Sequence, residues 1–419
     1  MSRLELAIAW RYLRSRRGSR LLSFISMIAI GGVIVGVSAL IVIIGVMNGL
    51  QADLRDKILV ASPDLRVLNI GADLKIENWR PVLEKTKRHP GVVAAAPFVL
   101  TQALVSAGGS YNDGAQIVGI EPEGRGVPDV TDIRKRPNVK AGDFRFASSD
   151  GQHRGAVLGM LLSQRLNALP GDHIRLVAPP PGGDASKLLE GASPRFFEFE
   201  VTGLFETGMY EYDNAYLYLP LEVAQEVAGL DSAVTGIEVR TADRWKAAEV
   251  GESLAESLGF PYRTVDWQEQ NRPLFQALKL EKMGMGVILG LIIIVAAFNI
   301  VSTLTMVVTD KTREIGILKA MGMTAPAIRR IFLLQGLGIG LVGTTVGLLV
   351  GVAASVLLDQ GHLIKLDPKI YMIDHLPVAM QALDVLTIVL ASMLIAAVAT
   401  LYPAVQAARL YPIEAIRHE

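Results

Sequence analysis

The sequence lacks cysteine altogether, so disulfide bonds, thiolate zinc sites and cysteine nucleophiles are excluded. It also lacks an excess of either charge, because 41 basic residues balance 41 acidic residues and the formal net charge is zero. A nucleic-acid-binding chain would carry a basic surplus. The balance therefore argues against nucleic acid as a partner.

Motifs for nucleotide hydrolysis and metal binding are missing too. The chain contains no Gly-x-x-x-x-Gly-Lys-Ser/Thr sequence, so it does not hydrolyse nucleotide by that route. Its six histidines never approach the spacing of metal ligands, and neither a His-Glu-x-x-His motif nor a Gly-x-Ser-x-Gly elbow occurs. We therefore predict no catalytic residue and no metal site in this chain.

Long apolar runs are the feature the sequence does have, and 51% of its residues are hydrophobic. Four runs approach or exceed the roughly 20 apolar residues that a membrane-spanning helix needs. They are 21–47, 285–308, 331–358 and 383–401. The first follows several arginines, as a signal peptide would, but it is too long for a cleaved one and is interpreted as an anchor. A row of five glycines in the third run predicts close helix packing.

These runs predict an α-helical membrane protein with four transmembrane helices and a large α/β domain inserted between helices 1 and 2. Lys and Arg are enriched before the first run, between the second and third, and after the fourth, which places both termini in the cytoplasm and the insert outside. The predicted segments are an amphipathic segment 1–20, helix 21–47, insert 48–282 with a mostly-strand part at about 142–222, helix 283–308, a cytoplasmic segment 309–330, helix 331–358, a short outer loop 359–382, helix 383–403 and a cytoplasmic tail 404–419.

Within the insert, local patterns predict an α/β order. A strand is expected at 64–69, a helix starting at the N-cap Asn78, and a further helix over 241–258. Residues 197–202 alternate between apolar and polar side chains, as in a sheet with one wet face. Asp266 and Glu269 have the spacing of a capping box that begins a helix leading into the second span.

A short charged segment, 310–322, lies between the second and third runs. Thr309 or Asp310 is predicted to cap the start of a helix there, and Gly322 to supply the left-handed residue that ends it. One helical edge is apolar and the other is polar. The apolar residues are Ile315, Ile317, Leu318 and Met321, and the polar ones are Arg313, Glu314 and Lys319. Either lipid headgroups or a partner protein must cover the apolar edge.

A second unusual segment, 179–194, joins two predicted strands of the insert and begins Pro-Pro-Pro-Gly-Gly. Three prolines stiffen a chain toward polyproline II, so this loop should project from the domain. From these residues alone it is either a tolerated surface insertion or a functional projection.

Several stretches resemble a known family. Residues 313–322 read Arg-Glu-Ile-Gly-Ile-Leu-Lys-Ala-Met-Gly, and 402–415 contain Tyr-Pro-Ala, Ala-Ala-Arg and Pro-Ile-Glu-Ala; both are similar to type VII ABC transporter permeases of the MacB and FtsX type. Residues 46–51 (Val-Met-Asn-Gly-Leu-Gln), 208–213 (Gly-Met-Tyr-Glu-Tyr-Asp) and 374–378 (Asp-His-Leu-Pro-Val) narrow the resemblance to the LolC/LolE family of lipoprotein-releasing permeases.

The resemblance implies a permease subunit that is not itself an enzyme and holds no cofactor. Two permeases, this one with an identical or a LolE-like partner, would work with a separate LolD-like ATPase that binds ATP and magnesium. The complex would extract lipoproteins from the bacterial inner membrane and pass them to the periplasmic carrier LolA. In this family the short helix after the second span docks on the ATPase. The implied contact residues are Arg313, Glu314, Ile315, Gly316, Leu318 and Lys319.

The family also suggests roles for the loop and the spans. LolC-like members capture LolA with a projecting hook, whereas LolE-like members use the equivalent region differently. The implied hook residues are Arg175, Pro179, Pro180, Pro181, Gly182, Gly183, Pro194 and Arg195. Lipid would enter a cavity near Ile43, Met47 and Ile292, between span one of one subunit and span two of its partner. Two alternatives stay open: a MacB- or FtsX-like permease for peptide export or cell-envelope regulation, and a membrane scaffold that transports nothing.

Overall fold

The computed structural model describes residue 8 and residues 20–71, 74–108, 111–122, 129–149, 151, 153–178, 193–361 and 376–411. The chain forms two compact units. The helical unit comprises Met1–Asp53 and Ala277–Glu419, and the insert unit comprises Leu54–Gln276. Most of the predicted segment 1–20, and the tail from residue 412, lie outside the described residues.

Helix α1 (Arg20–Ala61) contains the first apolar run and continues for fourteen residues beyond Met47. No proline interrupts this stretch, and its single glycine, Gly49, does not break the helix. The helix therefore runs on into the start of the insert unit.

The insert unit is an α/β domain. Its strands are β1 (Leu65–Asn69), β2 (Val92–Ala107), β3 (Tyr111–Ile120), β4 (Val139–Gly142), β5 (Arg154–Gly159), β6 (His173–Ala178), β7 (Arg195–Phe205), β8 (Tyr216–Pro220), β9 (Gly236–Thr241) and β10 (Tyr262–Asp266). Its helices are α2 (Trp79–Lys87), α3 (Met160–Leu166), α4 (Tyr210–Ala215), α5 (Leu221–Ala228), α6 (Ala247–Leu258) and α7 (Trp267–Gln270). The section 142–222 thus supplies strands β5–β8 together with α3 and α4.

Six strands of the described insert close into a barrel-like ring, which local sequence patterns did not predict. The order of pairing is β2, β3, β8, β5, β7, β6 and back to β2. Strands β9, β1 and β10 extend from β2, and β4 pairs with β7. The length of β2 makes this possible, because β9 pairs with its first half and β6 with its last four residues along one edge.

One side chain fills the gap between β9 and β6 on the edge of β2. The backbone N–H of Leu100 donates to the Thr235 hydroxyl at 2.9 Å, and the Thr235 N–H donates to the Phe98 carbonyl at 3.0 Å. Buried backbone donors need partners. The hydroxyl therefore satisfies a strand position that no neighbouring strand reaches.

Local predictions for the insert have mixed outcomes. The strand near 64–69 is confirmed as β1, and Asp266 is confirmed as an N-cap, because its Oδ1 accepts from the Gln268 and Glu269 N–H groups at 2.7 and 2.8 Å. Asn78 stands at the N-cap of α2, but its side chain makes no capping bond. The predicted helix over 241–258 starts too early. Thr241 ends β9, and α6 begins only at Ala247.

The chain then returns to the helical unit with α8 (Arg272–Asp310), α9 (Thr312–Ala320), α10 (Ala325–Gln360) and α11 (Ala382–Arg409). Within the described residues, α1, α8, α10 and α11 are long and apolar enough to cross a membrane. Four candidate spans with an α/β insert after the first confirm the predicted class of architecture.

The glycine row of α10 packs against two different helices. Gly336 and Gly340 lie against Thr400 and Ala396 of α11, where an added Cβ would have no room. Gly343, Gly347 and Gly351 lie against α1; a Cβ at Gly347 would lie 2.9 Å from the Cβ of Val37. By contrast, Gly284, Gly286 and Gly290 of α8 have nothing within 4 Å of such a Cβ in the described structure. Close packing thus joins α1, α10 and α11.

Candidate functional site

The short helix α9 begins one residue later than its predicted caps allow. Helix α8 runs through Asp310, and the Thr309 hydroxyl donates to the Thr305 carbonyl at 3.0 Å within that helix. The break falls at Lys311, whose side chain pairs with Glu314 at 2.6 Å. The predicted capping by Thr309 or Asp310 is wrong. Gly322 has φ +95°, so its predicted left-handed role is confirmed.

Some apolar side chains of α9 are buried against the helical unit, and others are exposed. Ile315 is fully buried, and Leu318 packs beside it, in a cluster formed by the end of α8, the start of α10 and the end of α11. Ile317 and Met321 are exposed, at 45% and 72%. The cluster contains Val307, Val308, Ile315, Ile328, Ile331, Phe332, Ala404 and Ala407. The helix is thus held by its own chain and still presents apolar surface.

The six predicted docking residues therefore differ in accessibility. Arg313 and Glu314 are exposed, whereas Ile315 and Gly316 are buried. Lys319 is half-buried, and its Nζ donates to the carbonyl oxygens of Ala408 and Leu410 at 2.7 and 2.6 Å. Arg313 and Glu314, with the apolar Ile317 and Met321, form the surface of α9 that a partner can reach.

At the other end of α11, two sequence stretches that were singled out above contact each other. The Ala379 N–H donates to the Gly45 carbonyl at 2.9 Å, and Asn48 Nδ2 donates to Asp384 Oδ2 at 2.6 Å. Gly49 lies directly against the Pro377 backbone. We call this contact of 45–49 with 376–384 the α1–α11 joint. Sequence reasoning missed Asp384, because nothing local links it to a residue 336 positions earlier.

An apolar cavity of about 230 Å³ lies among α1, α8 and α11 in the helical unit. From α1 it is lined by Val33, Gly36, Val37, Leu40 and Ile44. The predicted Ile292 lines it from α8. Ile43 and Met47 are not among its lining residues, although Met47 lies on the same side of α1 as Leu40, two turns further along the helix. Ser392 and Thr387 add hydroxyl groups on the α11 side.

The base of the predicted hook lies on β6 and β7. Residues 179–192, including Pro179, Pro180, Pro181, Gly182 and Gly183, are outside the described structure. Arg175 Nη2 pairs with Glu198 Oε1 at 2.8 Å. This hydrogen bond and the charge of Arg175 lower the pKa of Glu198.

Arg195, the first residue of β7, is also engaged within the chain. Its guanidinium donates to the Glu226 and Val227 carbonyls at 2.7 and 2.9 Å, at the C-terminal end of α5. Cations are favourable at that end of a helix. Pro194 borders a cavity of about 440 Å³ that Gln102 and Gln116 also line. Both arginines at the base of the predicted hook, Arg175 and Arg195, are therefore held by partners in their own chain.

The stretch 208–213 folds around a buried carboxylate. Asp213 Oδ1 accepts from the Thr207 N–H at 2.7 Å and from its hydroxyl at 2.9 Å, and Oδ2 accepts from the Gly208 N–H at 2.9 Å. Burial raises the pKa of Asp213 to about 6, against the effect of these hydrogen bonds. Gly208 has φ +77°, which favours glycine. The carboxylate holds the turn in place.

A buried ion pair stands on the adjoining part of the sheet. Arg66 Nη2 on β1 lies 2.9 Å from Glu238 Oε1 on β9, and the guanidinium also stacks over the Phe98 ring. Burial raises the pKa of Glu238, and Arg66 opposes that effect. Breaking such a pair leaves an uncompensated buried charge. This ion pair therefore has a structural role, which is to hold β1 against β9.

Four membrane-length helices, an α/β insert after the first and a short helix between the second and third define a permease of the FtsX and MacB type. The family model for the FtsX-like permease C-terminal region matches residues 286–412, and that for the MacB-like periplasmic core domain matches residues 26–257. The periplasmic region of MacB from Actinobacillus actinomycetemcomitans aligns over 52% of this chain and 94% of its own, at 12% identity and a TM-score of 0.34. That likeness is too low to carry an argument.

Relatives that match over the full length of the chain identify a narrower family within this class of permease. The chain is 36% identical to the lipoprotein-releasing system transmembrane protein LolC of Neisseria meningitidis over 100% of both chains, and 35% identical to LolC of Xylella fastidiosa over 99% of both. It is 28% identical to LolE of Haemophilus influenzae over 98% of both. The chain belongs to the LolC/LolE family of lipoprotein-releasing system transmembrane proteins.

Proposed function

We propose that this chain is the permease subunit of an ABC complex that extracts lipoproteins from the bacterial inner membrane and hands them to LolA. The match to LolC over the entire length, with 36% identity, is the observation that carries the proposal. The cavity among α1, α8 and α11 supports it, since an apolar space of about 230 Å³ with few polar groups suits an acyl chain better than a peptide.

A separate ATPase of the LolD type supplies the energy. Helix α9 is its docking site, through Arg313, Glu314, Ile317 and Met321, because these side chains are exposed while the helix is anchored by Ile315. Both termini and α9 are cytoplasmic in this proposal, as the Lys and Arg distribution favours. A second permease, identical or LolE-like, completes the membrane part.

The loop 179–192 and its base capture the carrier. Ala178 and Arg195 pair across the hairpin that carries the loop, so its two ends leave and re-enter the domain at one point.

A reconstituted release assay tests the proposal. The purified chain with its ATPase and partner permease is placed in proteoliposomes loaded with a fluorescent triacylated lipoprotein, and transfer to soluble LolA is followed after addition of ATP. We expect ATP-dependent transfer that deletion of 179–192 abolishes, while ATP hydrolysis persists. Deletion of residues 123–128, elsewhere in the insert, should leave transfer intact. ATP-dependent export of peptide with no lipoprotein transfer would instead support the MacB-like alternative.

A further inference from the structure

Helix α11 has a polar connection at each end. Lys319 of α9 donates to the Ala408 and Leu410 carbonyls at its C-terminal end, and Asn48 of α1 donates to Asp384 in its first turn. Its 28 residues rise about 42 Å at 1.5 Å per residue, which is enough to cross a bilayer. One helix thus joins the docking helix to α1.

The hydrogen bonds of Lys319 suit both the ammonium group and the carbonyl groups at the end of α11. The last carbonyls of a helix have no partners within it and carry partial negative charge. A lysine ammonium has three donors, and two of them are used here. Because Lys319 is one turn from the buried Ile315, the same helix face is held by packing and by hydrogen bonds. A displacement of α9 therefore acts on the end of α11.

The connection at Asp384 is reinforced by backbone contacts. A carboxylate in the first turn of a helix is favourable, and here it also accepts the Asn48 amide at 2.6 Å. The Ala379 N–H bonds the Gly45 carbonyl, and the Val378 N–H bonds Asp359 Oδ1 at 3.1 Å. The start of α11 is thus attached both to α1 and to the end of α10.

Helix α8 offers a poorer route, although it directly precedes α9 in the chain. Its buried residues all lie between Ile300 and Val308, near α9. Nothing lies within 4 Å of a Cβ built at Gly284, Gly286 or Gly290, in the part of the structure that is described. In the second half of α8, Asn299 lies against Gly32 of α1, but the first half of the helix lacks the close packing that joins α10 to α1 and α11.

We propose that α11 carries displacement of the docking helix α9 across the membrane to α1, with Lys319 and the Asn48–Asp384 pair as positioning residues at its two ends. The proposal rests on the proposed function only in that a partner ATPase moves α9. Lys319 then acts inside the permease and not on the ATPase surface. Movement of α1 relative to α8 changes the cavity between them.

Spin-label distances test the proposal in the intact complex. The chain has no cysteine, so Val35→Cys on α1 and Val295→Cys on α8, both exposed, give one labelled pair per copy of the chain without further substitutions in it. The distance is measured in lipid nanodiscs, without nucleotide and with ATP plus vanadate. The variants are Lys319→Met, Lys319→Arg, Asn48→Leu and, as an exposed cationic control, Arg329→Met.

We expect a nucleotide-dependent change of distance in the parent that falls by at least half in Lys319→Met and in Asn48→Leu. Lys319→Arg, which keeps the donors, and Arg329→Met should keep the change, and the ATPase should co-purify with all four. Should Lys319→Met fail to fold, Asn48→Leu tests the other end of the same helix.

Three outcomes overturn the proposal: no change in the parent, a full change in both Lys319→Met and Asn48→Leu, or loss of the ATPase from Lys319→Met, which would make Lys319 a docking residue. Lipoprotein release is measured on the same samples. If the parent shows the change but releases no lipoprotein, the proposed function fails while the role of α11 stands.

Discussion

The carbonyl oxygen of Pro377 occupies the place that a Cβ on Gly49 would need. Glycine at this position lets the segment after α10 lie directly on α1, where the Ala379 N–H reaches the Gly45 carbonyl. Two backbone segments far apart in sequence are joined in this way with no side chain between them.

Gly49→Ala should therefore displace 376–380 and lower the free energy of unfolding by about 1–3 kcal/mol, as overpacking generally does. The melting temperature of the purified chain in detergent measures the loss. Gly31→Ala on the same helix is the control, since no atom of the described residues lies within 4 Å of a Cβ there. Equal melting temperatures for the two variants would show that the joint is not tightly packed.

The buried Asp213 should make stability depend on pH. Its folded pKa, about 6, exceeds the usual 3.8, so the folded state binds the proton more tightly than the unfolded state does. The contribution of this group to stability is thus fully present below pH 4. It falls by up to roughly 3 kcal/mol in total as the pH rises through 6, and changes little above about pH 7.

Urea unfolding of the wild type and Asp213→Asn from pH 4 to 7 tests this dependence. The difference in unfolding free energy, wild type minus variant, should fall between pH 4 and 6. A difference that rises over that range would mean that the hydrogen bonds from Thr207 and Gly208 outweigh burial.

Reversal of charge at Glu314 should weaken ATPase docking. The side chain is exposed on α9 beside Lys311, and an arginine there would place two cations together where one ion pair now stands. We expect Glu314→Arg to reduce ATP-driven lipoprotein release at least tenfold without lowering the melting temperature. Glu252→Arg, an exposed change on α6, is the matched control. Unaltered release in Glu314→Arg would remove this residue from the docking surface.

Photo-crosslinking should show whether the cavity holds lipoprotein acyl chains. A benzophenone amino acid at Ile44 or Ile292, which line the cavity, should capture lipoprotein acyl chains. The same probe at Leu401 of α11, exposed but outside the cavity, should give less than a tenth of that yield. Adducts concentrated at Ile43 and Met47 would place the lipid path outside this cavity.

Local chemistry made parts of this structure predictable from the sequence. Gly322 follows the end of a helix because glycine readily adopts the left-handed backbone found there. Asp266 begins a helix because its carboxylate accepts hydrogen bonds from the first free N–H groups. The start of α9 was misplaced, because Thr309 satisfies its hydroxyl within α8 as readily as at a cap.

Other features depend on residues that are distant in sequence. Closure of the six-stranded ring requires β6 to meet the end of β2, and the partner of Asp384 is Asn48. No periodicity marks such pairs. The division of the α9 face, with Ile315 buried and Ile317 exposed, likewise depends on where α10 and α11 end.

The closed ring of strands also bears on how this family can diversify. Ala178 and Arg195 face each other at the end of the β6–β7 ladder, so whatever sequence joins them begins and ends at neighbouring positions on a closed frame. Loops of different length or composition can then be exchanged between relatives while every strand keeps its partners. If the loop binds the carrier, as we propose, its sequence can change while the strands that hold it stay the same.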